Sequence, residues 1–294
     1  MTKTIWVFPG QGSQSLGMVA DLESSDVGVE KLKIADDILG WSIVEKTQEE
    51  VSLSQTLYTQ PSLYVVEAIL LDLLRDRGEK PDLVAGHSLG EFVALYAAGT
   101  LDFTTGLKLV KKRAELMQAA SGGKMNALIG FDRTALEDAI NATEGVVIAN
   151  DNSDAQVVIS GTPEAVEKIV TSVKSKLAIY LNVSGAFHSP YMAEAAAEFA
   201  ELLAPLSFAN PQIPVMSNVE PTPSSDSNVL KDRLARQMTG SVRWREICNL
   251  LPELSVEKAI EVGPGKVLTG LIKRTCPQVQ LGKIASLKDI QSLS

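Results

Sequence analysis

Asp82-Leu83-Val84-Ala85-Gly86-His87-Ser88-Leu89-Gly90-Glu91 is the stretch whose reading decides the fold. Residues 82–85 read as a short buried strand. Residues 91–98 read as a small-residue helix that Gly99 can end. Between them lies Gly86-x-Ser88-x-Gly90, the pattern of a serine on a strained strand-to-helix turn. The glycines flank the serine because such a turn leaves little room for side chains. The serine then stands at a helix N-terminus, where developing negative charge is stabilised. Ser88 is therefore a candidate nucleophile, set against an ordinary glycine-rich turn.

Working outward, residues 5–8 form a first strand and run into Pro9-Gly10. A strongly apolar helix is expected over 61–77, with Pro61 in its first turn. Another helix is expected over 103–120. This alternation predicts a parallel sheet flanked by helices. After Ser121-Gly122-Gly123 the pattern changes. Strands are expected at 127–130, 146–149, 157–160 and 177–183, with helices at 133–141 and 163–174. The middle two strands flank an apparent Asn150-Asp151-Asn152-Ser153 turn. The order β-α-β-β-α-β is the ferredoxin-like signature. The fold class expected is α/β. Residues 1–123 and 189–294 form a hydrolase-like large domain with a central, mostly parallel sheet, and residues 124–188 an inserted ferredoxin-like small domain. Beyond it come a helix at 191–203 and strands at 215–218 and 259–262.

Composition bounds the chemistry. The chain has 294 residues, 45% of them hydrophobic, enough for a sizeable core. A formal net charge of −9 argues against broad nucleic-acid binding. Two cysteines, Cys248 and Cys276, make neither a disulfide framework nor a metal cluster. The N-terminus lacks the apolar core of a signal peptide, and no apolar run approaches the ~20 residues of a membrane span. A soluble, cytoplasmic protein is expected.

A serine nucleophile needs a general base. The chain has only His87 and His188. Neighbouring side chains at a strand end point to opposite faces, so His87 should point away from the Ser88 hydroxyl. That leaves His188 as the base. No acid stands out to orient it: Asp151 and Asp154 are possible, and a backbone carbonyl is the alternative.

Arg113 is the second clue. On the helix over 103–120, Lys108, Lys111, Lys112, Glu115 and Gln118 share one face. Arg113 falls on the other, with Leu107, Val110, Ala114 and Met117. A buried guanidinium needs a partner. That partner is either an internal carboxylate or the carboxylate of a substrate held by a bidentate fork. The second reading points to a dicarboxylic acyl group carried as an ester or thioester.

Together these motifs resemble the malonyl-CoA:acyl carrier protein transacylases of fatty-acid synthesis. The resemblance spans nearly the whole chain. It rests on Phe8-Pro9-Gly10-Gln11-Gly12-Ser13-Gln14, Thr59-Gln60-Pro61, Gly86 to Glu91, Arg113, Gln156 to Gly161, Phe187-His188-Ser189 and Glu261-Val262-Gly263-Pro264-Gly265. Polyketide acyltransferase domains share most of them.

The resemblance implies that Ser88 is acylated, His188 is its base, and Arg113 binds the malonyl carboxylate. It implies an oxyanion hole from the Gln11 and Leu89 amides and a Gln237 main-chain carbonyl that orients the histidine, so that a dyad replaces a triad. Met117, Asn218, Gln156 and Phe187 are expected to line the substrate site. Phe187 would crowd a branched acyl group, and Leu89 is likewise malonyl-like.

The implied reaction is ping-pong, with malonyl-CoA and holo-acyl carrier protein as partners, CoA as product, and no bound cofactor or metal. A monomer that binds no nucleic acid or membrane is expected. Lys174, Lys176, Lys266, Lys273 and Arg274 are candidate contacts for an acidic carrier. Two stretches depart from the family pattern: Asp151 stands where relatives commonly carry an aromatic, and Lys124-Met125-Asn126 is unusual. The competing readings are a polyketide-type acyltransferase with another extender unit, a serine thioesterase or hydrolase, and a catalytically silent carrier-binding module.

Overall fold

The computed structural model describes residues 2–293. In chain order its strands are β1 (Thr4–Phe8), β2 (Leu83–Gly86), β3 (Lys124–Phe131), β4 (Val146–Ser153), β5 (Gln156–Gly161), β6 (Ser175–Tyr180), β7 (Val215–Met216), β8 (Lys258–Val262) and β9 (Gln280–Ile284). Five of them form a parallel sheet in the order β7-β2-β1-β8-β9. Its inner strands are near-continuous apolar runs because helices cover both faces. On one side lies the helix Thr56–Asp76, buried along most of its length. On the other, Trp244, Ile247, Cys248 and Leu251 pack with Leu268, Leu271 and Ile272.

The remaining four strands form an antiparallel sheet in the order β4-β5-β3-β6. With the helices Arg133–Asn141 and Pro163–Ser172 between them, this is the ferredoxin-like order that the pattern predicts. The two helices lie on one face of the sheet, where Leu136, Val166 and Ile169 pack against Leu128, Val157 and Ile159. The other face joins the main core through Met125, Ala127, Ala149 and Val158.

Several boundaries differ from expectation. The long helix starts at Thr56, so Pro61 lies inside it. A proline this close to the helix start forfeits only one backbone bond, and Thr59 Oγ1 donates to the Leu53 and Gln55 carbonyls on the same turn. Asn150-Asp151-Asn152-Ser153 is not a turn but the end of β4, bulged twice against β5. Asp151 and Asn152 have partners across the fold. The Asp151 amide donates to the Val242 carbonyl at 2.9 Å, and the Asp151 carboxylate pairs with Arg133 and Arg245 at 2.8 and 2.9 Å. Finally, β6 stops at Tyr180 and β7 at Met216, which frees Leu181, Val183 and Asn218 for other contacts.

Register positions the chemistry. Phe8 is paired with Gly86, so the turns that follow β1 and β2 lie side by side. They approach closely: a Cβ at Gly90 would stand 2.0 Å from the Phe8 carbonyl oxygen and 2.7 Å from that of Pro9. Both obstacles are backbone and cannot swing aside. Gly90→Ala should therefore cost about 3 kcal/mol, read as a lowered urea midpoint; a midpoint equal to wild type would contradict this packing.

Candidate active site

Ser88 occupies the turn between β2 and the helix Gly90–Ala97, with φ at 52°. A non-glycine residue here is strained, and the surroundings hold it in place. Its amide donates to Asn218 Oδ1 at 2.7 Å, and Asn218 Nδ2 donates to the Gly86 carbonyl at 2.6 Å. Asn218 thus braces the turn from behind rather than lining the cavity.

His188 also has positive φ, at 55°. The Ser88 hydroxyl donates to His188 Nε2 at 2.7 Å. Nδ1 faces two main-chain carbonyls, Gln237 at 3.0 Å and Gly240 at 3.2 Å. Two acceptors place the ring proton on Nδ1 and leave Nε2 free to accept. Among the described residues no carboxylate takes the orienting position. Asp151 is committed to Arg133 and Arg245, and Asp154 reaches Arg245 at 3.4 Å. His87 turns away: its Nε2 lies 2.8 Å from Asn152 Oδ1 and its ring 5.6 Å from that of Trp244.

Arg113 is 1% exposed. Its Nη1 donates to Gln60 Oε1 at 2.7 Å, and its Nη2 to Ser88 Oγ and Gln237 Oε1, both at 3.0 Å. Among the described residues no carboxylate lies within 4.0 Å of it, so the internal ion pair considered above is not formed. Burial draws its pKa down to about 10, against the pull of Glu91.

His188 feels the same surroundings. Burial, and next the Arg113 charge, lower it to about 3, although the Gln237 and Gly240 carbonyls favour the charged form. The imidazole is therefore neutral, and competent as a base, well below the usual histidine range. Protonation removes the base only as pH falls toward that value. Acylation of Ser88 should consequently be flat from about pH 5 to 8. A loss of half the rate near pH 6.5 in stopped-flow measurements would contradict this environment.

Ser88 opens onto a cavity of about 90 Å³. Gln11, Leu89, Met117, Phe187 and His188 line it. Gln60, Met125, Asn150, Leu181 and Val183, for which sequence alone gives no role in the site, complete the wall together with His87. Gln11 and Leu89 reach it from the two adjoining turns. Neither of their amides donates to another described backbone group outside the regular elements, so both remain available to an oxyanion.

Gln156 is not part of the wall. It opens β5 at the hairpin end, and its Oε1 accepts from Arg274 at 3.3 Å. The basic candidates do not form one patch either. Lys174 and Lys176 lie at the β6 edge of the antiparallel sheet, whereas Lys266, Lys273 and Arg274 belong to the helix beside β4, at the opposite edge.

Residues 5–289 match the acyl transferase domain family. The chain is 56% identical to the malonyl CoA-acyl carrier protein transacylase of Synechocystis sp., over 99% of this chain and 100% of that protein. The crystal structure of the Synechocystis enzyme superposes with a TM-score of 0.98, covering 99% of this chain and 100% of that one. A polyketide-biosynthesis malonyl CoA-acyl carrier protein transacylase of Bacillus subtilis is 45% identical, over 92% of this chain and 96% of that protein.

Proposed function

The chain belongs to the acyl transferase domain family, and on that premise we propose that it is a malonyl-CoA:acyl carrier protein S-malonyltransferase of fatty-acid synthesis. One observation carries the choice of acyl group: a fully buried arginine, with no carboxylate within 4.0 Å among the described residues, donates to the hydroxyl of the candidate nucleophile. A hydrolase of neutral esters has no use for that charge.

In this reading Ser88 attacks the thioester carbonyl of malonyl-CoA while His188 Nε2 takes the hydroxyl proton. The imidazolium formed is held by the Gln237 and Gly240 carbonyls. The tetrahedral oxyanion is met by the Gln11 and Leu89 amides; losing one such donor typically costs ~10²–10³ in rate. Collapse expels CoA, protonated by His188, and leaves malonyl-Ser88. Arg113 holds the free carboxylate by a charge-assisted fork. The phosphopantetheine thiol of the carrier then gives its proton to His188 and attacks the ester, which regenerates Ser88. Every proton and bond is accounted for by protein and substrates, so the scheme calls on no metal or redox cofactor.

We read residues 124–188 as a small domain inserted into the large one, with the acyl group bound in the cleft between them. Phe187 against the cavity disfavours a branch at the α-carbon, an effect of ~1–3 kcal/mol for one methyl. No described helix is long and apolar enough to cross a membrane, and a cytoplasmic monomer suffices for the reaction. An acidic carrier must meet an enzyme of charge −9 through a local basic group, at one edge of the antiparallel sheet or the other.

The test is steady-state kinetics with malonyl-CoA and holo-carrier as varied substrates. Parallel double-reciprocal lines, with release of CoA before carrier is added, are expected. Free malonate as the main product would instead indicate a thioesterase.

A further inference from the structure

Glu91 lies in the first turn of the helix that follows Ser88 and is 1% exposed. The scheme above gives it no role. One of its oxygens, Oε2, accepts from Gln237 Nε2 at 2.7 Å and from the Asn218 amide at 3.2 Å. The other has no partner. No lysine, arginine or histidine lies within 4.0 Å of it among the described residues.

A buried carboxylate and a buried guanidinium, each without a direct ionic partner, therefore stand on either side of a single amide. Gln237 Nε2 donates to Glu91 and to the Ser88 carbonyl at 2.9 Å, while Gln237 Oε1 accepts from Arg113 at 3.0 Å. Glu91 also fixes which way that amide points. A carboxylate accepts only, so the NH₂ group must face it, and the amide oxygen must face Arg113.

We propose that Glu91 is the counter-charge of Arg113, acting through the Gln237 side chain, and that it sets how strongly Arg113 attracts an acyl carboxylate. The acyl group concerned is the one assigned above, so the kinetic part of the inference rests on that assignment. Glu91 touches no reacting atom and is a positioning residue. With the acyl site empty it balances the buried cation; with a carboxylated acyl group bound it competes with that carboxylate for Arg113.

Burial pushes the Glu91 carboxyl upward, while the Gln237 side chain, the Asn218 amide, the Ser217 hydroxyl and, last, the Arg113 charge oppose the rise. Only the ionised carboxylate balances the Arg113 charge, and removing the carboxylate's charge by substitution tests it. Glu91→Gln keeps the size and one acceptor and removes only the charge.

Its KM for malonyl-CoA should fall at least threefold while KM for acetyl-CoA moves less than twofold. Equal shifts for both substrates, or no shift for either, would overturn the proposal. The second arm is a double-mutant cycle on thermal unfolding with Glu91→Gln and Arg113→Gln, which needs no substrate. Each single variant leaves the opposite charge buried without balance, so the double variant should be more stable than the sum of the single effects predicts. Additive effects would overturn the pairing. If wild-type protein accepts no malonyl group, the assignment of function fails, whereas the cycle still reports on the Glu91–Arg113 pair alone.

Discussion

Arg113→Ala should lower malonyl transfer by about 10²–10³-fold, the cost of losing one partner of a buried, charge-assisted pair, while acetyl transfer falls by no more than about tenfold. The asymmetry follows from geometry. Nη2 stands 3.0 Å from Ser88 Oγ, within reach of the free carboxylate of a malonyl group esterified there, and among the described residues no protein carboxylate lies within 4.0 Å of it. The measurement is kcat/KM for the two acyl-CoAs on the same preparation. Equal loss for both would reduce Arg113 to a structural residue. A second effect travels with the first. The Arg113 charge is one of the causes that hold His188 down, behind burial itself. Removing it should move the low-pH limb of the acetyl reaction upward, toward the ordinary histidine range, because a neighbouring cation no longer disfavours the imidazolium.

His188→Ala carries the other large expectation. Loss of a positioned general base costs about 10²–10⁴-fold, and here it should appear in acylation and in transfer to the carrier, since one ring serves both half-reactions. The circular dichroism spectrum should match wild type, because the ring bonds only to Ser88 and to two carbonyls at the cleft edge. Unimpaired acylation would sink the assignment. His87→Ala offers the contrast: its ring bonds Asn152 rather than Ser88, so it should not reproduce the loss.

These residues were legible in the sequence for different reasons. Ser88 was found because a strained turn demands glycines on both sides, and that demand is local. His188 emerged by elimination from two histidines. Arg113 was found because helical periodicity put a charge on an apolar face. The Gln11 and Leu89 amides and the Gln237 carbonyl were not visible in this way; main-chain groups leave no residue signature, and only the family resemblance pointed to them. The Gly240 carbonyl went unseen for the same reason.

Side-chain amides proved hardest. Gln60 lies beside Thr59 and Ser62 near the helix start, and Glu91 is the one charge in the helix Gly90–Ala97. Each is a buried polar group of the same kind as Arg113, embedded in a motif whose signal comes from its other residues. Gln156 was expected in the site but lies at the hairpin end of β5, because the strand begins there rather than running past the cavity. Asn150 to Ser153 reads as a turn by composition. Its extended form depends on Val242 and on two arginines distant in sequence, Arg133 and Arg245, and no local rule reports such partners.

What Ser88 carries between the two half-reactions decides between transfer and hydrolysis. Time-resolved intact mass spectrometry after mixing with malonyl-CoA, followed by a chase with holo-carrier protein, measures this directly. The account predicts a stoichiometric gain of one malonyl group, mapped to Ser88, persistent until the chase and then recovered on the carrier thiol. Release of malonate to water before the chase, or an adduct that maps elsewhere and survives in Ser88→Ala, would contradict it.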